Sequence, residues 1–443
     1  MTYPLPQAFI ARMRAQLGSD ADAYFSALDK PYLRGVRINP RKSGVPVEGM
    51  LSAVPWNAAY GRYLAQDSAA GLDPLHEAGA YYIQEPSAMS PVALLNPQPG
   101  ERVLDLCAAP GGKSTQIADA LNGEGLIVCN EPVPSRAKIL SRNIERMGVA
   151  NALVVSAEPE KLAPLWPECF DAVLVDAPCS GEGMFRRHPE TRAEWDEGSP
   201  EGCAVRQEYI LRCAVEMLKP GGRLAYSTCT LNEVENEQVV SHLLSSHPEL
   251  HAVPFEMSIG DGKTLSAPDG MAHLYPHELE GEGHFVALLR KDDGESDDLF
   301  RPAREQLSAP QKPFLVAYEA FCKPFAGLPR ANAQFGDVLL SCPDLPPLKG
   351  IKVLRAGVQL GGLKGKVFAP DHALAMALPL PYGVPTVPLS REDALRYQSG
   401  ETIDVPEDVS GYALPTYHGL ALGFGKASSG QLKNHYPKGL RRP

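Results

Sequence analysis

Val103-Leu-Asp-Leu-Cys-Ala-Ala-Pro-Gly-Gly-Lys-Ser114 reads as a buried strand, a turn of small residues and the start of a helix. Strand and helix alternate outward from it over residues 100–290, the signature of a parallel α/β sheet. We place strands at Arg102–Leu106, Gly125–Asn130, Ala152–Val155, Phe170–Val175, Gly222–Ser227 and His284–Arg290, with helices between, among them Pro134–Met147 and Cys203–Leu218. Lys219-Pro-Gly-Gly222 reads as a helix stop followed by a turn.

Three ligands use such a turn. A P-loop for a nucleoside triphosphate needs Gly, four residues, then Gly-Lys-Ser/Thr. Gly112-Lys-Ser114 fits, but Cys107 stands at the first glycine position. The dinucleotide fingerprint GxGxxG is absent. S-adenosylmethionine remains. The turn lets backbone approach its amino-acid portion, and an acid after the next strand would hold the ribose hydroxyls, as in dinucleotide sites. Glu131 stands there, and Glu158 after the third strand is placed toward the adenine. Glu131 also reads as a helix N-terminal acid favoured by the macrodipole.

Two cysteines follow two further strands. Cys179 lies in Asp176-Ala-Pro-Cys-Ser-Gly181 and Cys229 in Tyr226-Ser-Thr-Cys-Thr230. Ligands bind outside the carboxyl ends of parallel strands, so both thiols reach the edge where chemistry is done. Asp176 also has a reading as a turn residue capping amides. Carbon 5 of cytosine is a poor nucleophile. A thiolate adding to carbon 6 makes the ring enamine-like, and carbon 5 can then attack a methyl sulfonium. A carboxyl at ring nitrogen 3 protonates or hydrogen-bonds the ring as charge develops. A second thiol assists release. A free thiol titrates near about 8.5, so the attacker needs activation. Cys107, Cys129, Cys169, Cys203 and Cys213 read as inert for this chemistry.

The 443 residues imply about two to four domains. Charged residues make up 21% and hydrophobic ones 44%, which excludes a disordered chain. No secretory signal or membrane-length apolar run is seen. Nine scattered cysteines without a CxxC pair argue against a metal site and for a reducing, cytoplasmic compartment. The net charge of −11 argues against an indiscriminate nucleic-acid binder. Cations nonetheless cluster in three places: Arg12, Arg14, Arg34, Arg37, Arg41 and Lys42; Lys349, Lys352, Arg355, Lys364 and Lys366; and Lys426, Lys433, Lys438, Arg441 and Arg442. They read either as solvated surface or as an RNA track. Lys291-Asp-Asp-Gly-Glu-Ser-Asp-Asp298 reads as a linker. The Pro- and Gly-rich remainder suggests small β-rich units.

Cys107-Ala-Ala-Pro-Gly-Gly-Lys113, Asp176-Ala-Pro-Cys-Ser-Gly-Glu-Gly-Met-Phe185 and Tyr226-Ser-Thr-Cys-Thr-Leu-Asn-Glu-Val-Glu-Asn-Glu237 resemble the Sun-type family of RNA cytosine-5 methyltransferases, in its small-subunit rRNA methyltransferase F branch. Gly79–Ser87, Gly281–Phe285 and the tail Leu432–Leu440 extend the resemblance to nearly the whole chain. It implies a Rossmann-like methyltransferase sheet (76–292), a small N-terminal α+β RNA-binding domain (1–75), a linker with a connecting small domain (293–375) and a PUA-like RNA-binding region (376–443). It implies S-adenosyl-L-methionine as donor and rRNA, free or in the small subunit, as substrate. Cys229 is then the nucleophile and Cys179 the release residue, with Asp176 facing the base. Cys107, Ala108, Ala109, Pro110, Gly111, Gly112, Lys113, Glu131, Glu158 and Asp176 fall on cofactor positions, and Arg136 is added to them. Ala157 stands where relatives often carry Asn. A monomer without membrane contact is expected. The alternatives are a tRNA or DNA cytosine-5 methyltransferase, the latter attacking with the Pro-Cys cysteine, and a non-catalytic ribosome-assembly factor.

Overall fold

Runs of aliphatic residues covered on both faces make the central sheet of the computed structural model, which describes residues 3–295 and 307–441. In chain order the strands are β1 (Arg102–Asp105), β2 (Leu126–Asn130), β3 (Ala152–Ser156), β4 (Phe170–Asp176), β5 (Leu218–Thr228), β6 (Leu250–Ala252), β7 (Met271–Leu274), β8 (His284–Lys291) and β9 (Lys352–Ala356). Their order is β6-β8-β5-β4-β1-β2-β3-β9, with β7 also on β8. The middle five are parallel, while β8 on β5 and β9 on β3 are antiparallel.

Helices α1 (Gly112–Leu121) and α2 (Pro134–Arg146) cover one face. Ile117, Leu121, Leu140 and Ile144 pack there on Val103, Ile127, Val154 and Leu174. Helices α3 (Ser199–Met217) and α4 (Glu237–Ser246) cover the other. Leu211, Val215, Val239 and Leu243 pack there with Leu104, Val128, Val155 and Val173. Successive strand residues thus enter opposite cores, as the two-residue period requires.

Three expectations are corrected. Helix α3 starts at Ser199, ahead of the Cys203 expected. It stops at Met217, but Lys219–Gly222 is no free turn. The segment is absorbed into β5 as an irregularity, with Phe170 opposite Leu218 and Ala172 already opposite Arg223. The region read as a connecting unit also gives its strand β9 to the edge of the central sheet, with Lys352 opposite Ser156. Buried Arg355 locks it by pairing with Glu145 of α2.

The N-terminal cations are largely structural. Helices Gln7–Leu17 and Ala21–Leu28 precede a four-stranded antiparallel sheet that includes Arg34–Ile38 and closes with Tyr81–Ile83. Arg37 is 1% exposed, pairs with Asp119 of α1 and donates to Thr115 Oγ1 at 2.5 Å. Lys42 is buried and donates to the Ala78 carbonyl at 2.8 Å, with burial pushing its pKa down to about 7. Arg12 pairs with buried Glu182 at 2.7 Å, and Arg34 donates to three loop carbonyls. Arg12, Arg37 and Lys42 fasten the N-terminal unit to the sheet domain, while the Arg34 bonds are internal to the N-terminal unit.

Strands Ala333–Phe335, Val338–Ser341, Val358–Lys364 and Val367–Pro370 form a separate small sheet beside helix Lys312–Cys322. The last unit is a β-sheet around Gly411–Tyr417, Gly425–Ser428 and Gln431–Asn434. The linker reading beyond Glu295 and Arg442 of the basic tail lie outside the described residues. Among the described residues no helix is long and apolar enough to cross a membrane.

Candidate active site

The strand order reverses at β1, with β2 and β3 laid down on one side and β4 and β5 on the other, the point where open α/β sheets form their crevice. The ends of β1, β4 and β5 and the antiparallel start of β8 share that edge, since Phe285 lies opposite Thr228. They frame a cleft of about 340 Å³. Asp105, the Cys107–Lys113 loop, Asp176, Cys229 and His284 line it together with Tyr82–Glu85.

The loop leads into the N-terminus of α1. Gly111 has φ +113°, a conformation that side chains resist. Asp105 is fully buried, and its Oδ2 accepts from Ser114 Oγ at 2.6 Å. Its Oδ1 has no hydrogen-bond partner among the described residues. Burial pushes the Asp105 pKa up to about 7, opposed by the Ser114 bond. An orphaned acid oxygen lining a cleft marks where a cationic ligand group is wanted.

Asp176 closes β4. Its Oδ2 accepts from Lys113 Nζ at 2.8 Å and its Oδ1 from Ser227 Oγ at 2.8 Å, with His284 Nε2 3.7 Å away. Burial alone would raise its pKa. The Lys113 ammonium and then His284 overcome this and hold the carboxyl well below the usual range. The carboxyl is thus held as an ionised hydrogen-bond acceptor.

The two sulfurs stand 3.2 Å apart without a disulfide. The hydrogen bond to Cys229, then burial, pushes the Cys179 thiol well up, so Cys179 keeps its proton. Their loops are pinned together. Gly183 N–H donates to the Cys229 carbonyl at 2.9 Å, and a Cβ on Gly183 would lie 2.6 Å from the Gly283 carbonyl. Buried Glu235 accepts from Ser180 N–H at 2.9 Å, Gln207 at 2.8 Å and Asn232 at 2.7 Å, and from the Ser180 hydroxyl.

The structure thus gathers Cys107–Lys113, Asp176 and Cys229, with Cys179 directly behind Cys229. Glu131 and Arg136 lie beside the loop and do not line the cleft. Glu131 is buried and accepts from Val133 N–H at 2.9 Å. Arg136 sits 3.5 Å from Glu131 and donates to the Ala109 carbonyl at 3.1 Å. Glu158 is exposed at the start of a short helix, away from the cleft lining. Ala157 uses its backbone N–H on Asn130 Oδ1 at 3.1 Å. Asp105, His284 and Glu235 were missed. An acid inside the apolar run Val103–Leu106 was the available signal for Asp105.

Four family models match in sequence: the N-terminal domain of 16S rRNA methyltransferase RsmF over residues 5–86, 16S rRNA methyltransferase RsmB/F over 92–290, the RsmF rRNA methyltransferase first C-terminal domain over 320–378, and the methyltransferase RsmF PUA domain over 384–442. The ribosomal RNA small subunit methyltransferase F of Klebsiella pneumoniae is 34% identical over 473 residues, covering 100% of this chain and 97% of that one. The same-named protein of Erwinia tasmaniensis is 33% identical over 480 residues, covering 99% and 97%. The chain belongs to the RsmF family of 16S rRNA methyltransferases. The RsmF-type fold also matches solved structures. A methyltransferase homologue from Pyrococcus horikoshii aligns with TM-score 0.55 at 31% identity, over 65% of this chain and 95% of that one. NSun6 from Pyrococcus horikoshii, solved with SFG, aligns with TM-score 0.53 at 22% identity, over 65% and 99%, and supports the fold alone.

Proposed function

We propose that the chain methylates carbon 5 of cytosine in 16S rRNA, using S-adenosylmethionine and a covalent bond between Cys229 and the ring. The observation that carries this reading is the 3.2 Å cysteine pair beside an ionised Asp176, across from an orphaned acid in a glycine-turn cleft. The cleft fits the donor: Asp105 Oδ1 would meet its cationic amino-acid portion, the Cys107–Lys113 backbone would cradle it, and Glu131 is the ribose candidate. When bound, the donor supplies a methyl sulfonium.

Cys229 attacks carbon 6 as the thiolate. Nitrogen 3 takes a proton from solvent as sulfur adds, which makes the adduct neutral; Asp176 accepts from that N–H or from the exocyclic amine, and Lys113 holds the carboxylate in place. Cys179 acts last. Its pKa is held up chiefly by the hydrogen bond to Cys229. Binding the Cys229 sulfur to carbon removes that contribution, while burial and Glu235 still hold the thiol up, and Cys179 gives its proton to solvent before it acts. Its thiolate then takes the proton from carbon 5, the double bond re-forms, and Cys229 leaves. Intact machinery of this kind disfavours a purely structural assembly factor.

The test is transfer of labelled methyl to 16S rRNA, offered naked and as assembled subunit. Label is expected in 5-methylcytidine after digestion to nucleosides; label elsewhere, or none in either substrate, contradicts the reading. Donor binding offers a separate check. A cation against Asp105 favours the carboxylate, so binding should expel its proton wherever the free protein still holds it. Affinity should rise with pH up to about 7 and then level off. Calorimetry at about pH 6 in two buffers of different ionisation enthalpy should show up to one proton released, and Asp105→Asn should show none.

A further inference from the structure

His284 opens β8 and is held by the ladder on both sides, with Leu274 of β7 opposite it and the next residue, Phe285, opposite Thr228 of β5. It is 4% exposed and lines the cleft with Cys229 and Asp176. Its Nε2 is buried and makes no hydrogen bond among the described residues. That nitrogen faces Asp176 Oδ1, 3.7 Å away. A buried nitrogen without a partner is costly, so a histidine kept for packing alone is expected to have one. Catalytic hydrogen bonds are often this long until substrate seats, and then tighten.

The first chemical step leaves a proton to be placed. When the Cys229 sulfur bonds to carbon 6, the electron pair displaced through carbon 5 and carbon 4 collects on ring nitrogen 3. Asp176 is ionised and has no proton of its own to give. Its partner Lys113 keeps its proton, because the charge and hydrogen bond of Asp176 outweigh burial and raise the lysine pKa. Arg187, also on the cleft, does not deprotonate in proteins. Burial raises the pKa of Tyr82 and of Cys107. Glu85 is occupied by the amides of Ser87, Ala88 and Glu282, and Asp105 by Ser114. His284 remains, and imidazole is the side chain that exchanges protons near neutral pH.

We propose that His284 carries the proton that ring nitrogen 3 takes, passing it across the Asp176 carboxylate. The role rests on cytosine methylation as read above and supplies the carrier that step needs. Solvent protonates the imidazole before the base fills the cleft. As the sulfur–carbon 6 bond forms, the Nε2–H bond of His284 breaks onto Asp176 and an N–H bond forms at nitrogen 3 from the carboxylate. The two transfers run together, because the Lys113 ammonium disfavours a carboxyl that keeps the proton. His284 ends neutral, and Asp176 ends as the carboxylate that accepts from the new N–H. When Cys229 leaves, the proton returns by the same route.

The test uses the full chain, the methyl donor and a 16S rRNA transcript made with 5-fluorocytidine. Fluorine on carbon 5 cannot be taken as a proton, so the Cys229 adduct stays and its rate of formation reports the steps before release. His284→Gln keeps an N–H toward Asp176 but relays no proton. It should form adduct about 100-fold more slowly, with KM for RNA and donor affinity within about twofold of wild type. At saturating RNA the wild-type rate should rise with pH as Cys229 ionises and fall as His284 loses its proton, and the falling limb should be missing from His284→Gln. The other charged or titratable groups around the imidazole, Glu85, Asp105, Lys113, Asp176, Arg187 and Cys229, are the same in both proteins. A variant rate within about threefold of wild type, a loss confined to KM, or pH profiles of one shape would overturn the proposal and leave His284 a packing residue. The wild-type profile tests it without any variant, since a rate that never falls between about pH 6 and 9 also overturns it. Failure of the functional reading looks different: wild-type protein would form no adduct and transfer no methyl to cytosine.

Discussion

Replacing Cys229 by Ala is expected to stop methyl transfer, a loss of at least about 10⁴-fold in kcat. Carbon 5 has no nucleophilicity of its own until sulfur adds to carbon 6, and no other described thiol lines the cleft facing Asp176 except Cys107 on the donor loop. Burial pushes the Cys107 thiol well up, and the charge of Asp105 raises it further, so it is no substitute nucleophile. Donor affinity should not change, because Asp105 and the loop are untouched. Single-turnover assays with saturating donor check both statements. Activity retained in Cys229→Ala and lost in Cys179→Ala would exchange the two roles, the arrangement considered for a DNA enzyme.

Asp176→Asn should lower kcat by about 10²–10³-fold and change the KM for RNA little. The asparagine keeps a hydrogen bond to the ring but removes the negative charge that answers the developing positive charge. It also leaves Lys113 Nζ, now 2.8 Å from the carboxylate, without its counter-ion. The split between kcat and KM separates this from a folding defect. A loss below about tenfold would mean that Asp176 only ties down the end of β4 through Ser227.

The central strands were legible because each is an aliphatic run of the right length between turn signals, and two-faced burial leaves such runs little other choice. The cysteines were legible because each follows a strand end. The cationic N-terminus misled. Arg37 looks like a phosphate ligand until the fold sets Asp119 against it, and no local pattern announces a partner 82 positions away. Strand β9 was hidden for a related reason: it is a short antiparallel edge that carries buried Arg355, whose charge is paired with Glu145 on a helix distant in sequence. Glu131 and Glu158 occupy equivalent strand ends in sequence, yet one is buried against the loop and the other exposed. The sequence period does not encode that difference. Glu235 joins them as a residue whose meaning is largely tertiary, with two donors of Ser180, one of Gln207 and one of nearby Asn232 converging on one carboxylate.

The covalent step is tested most directly by locating the pyrimidine on the protein. Cys179→Ala protein, incubated with donor and 16S rRNA, denatured, nuclease-treated and digested to peptides, should carry a methylated cytidine nucleotide on the peptide that contains Cys229. Without the Cys179 sulfur the proton on carbon 5 stays and the adduct persists. No adduct with Cys179→Ala, or an adduct on Cys179 in Cys229→Ala protein, would contradict the assignment.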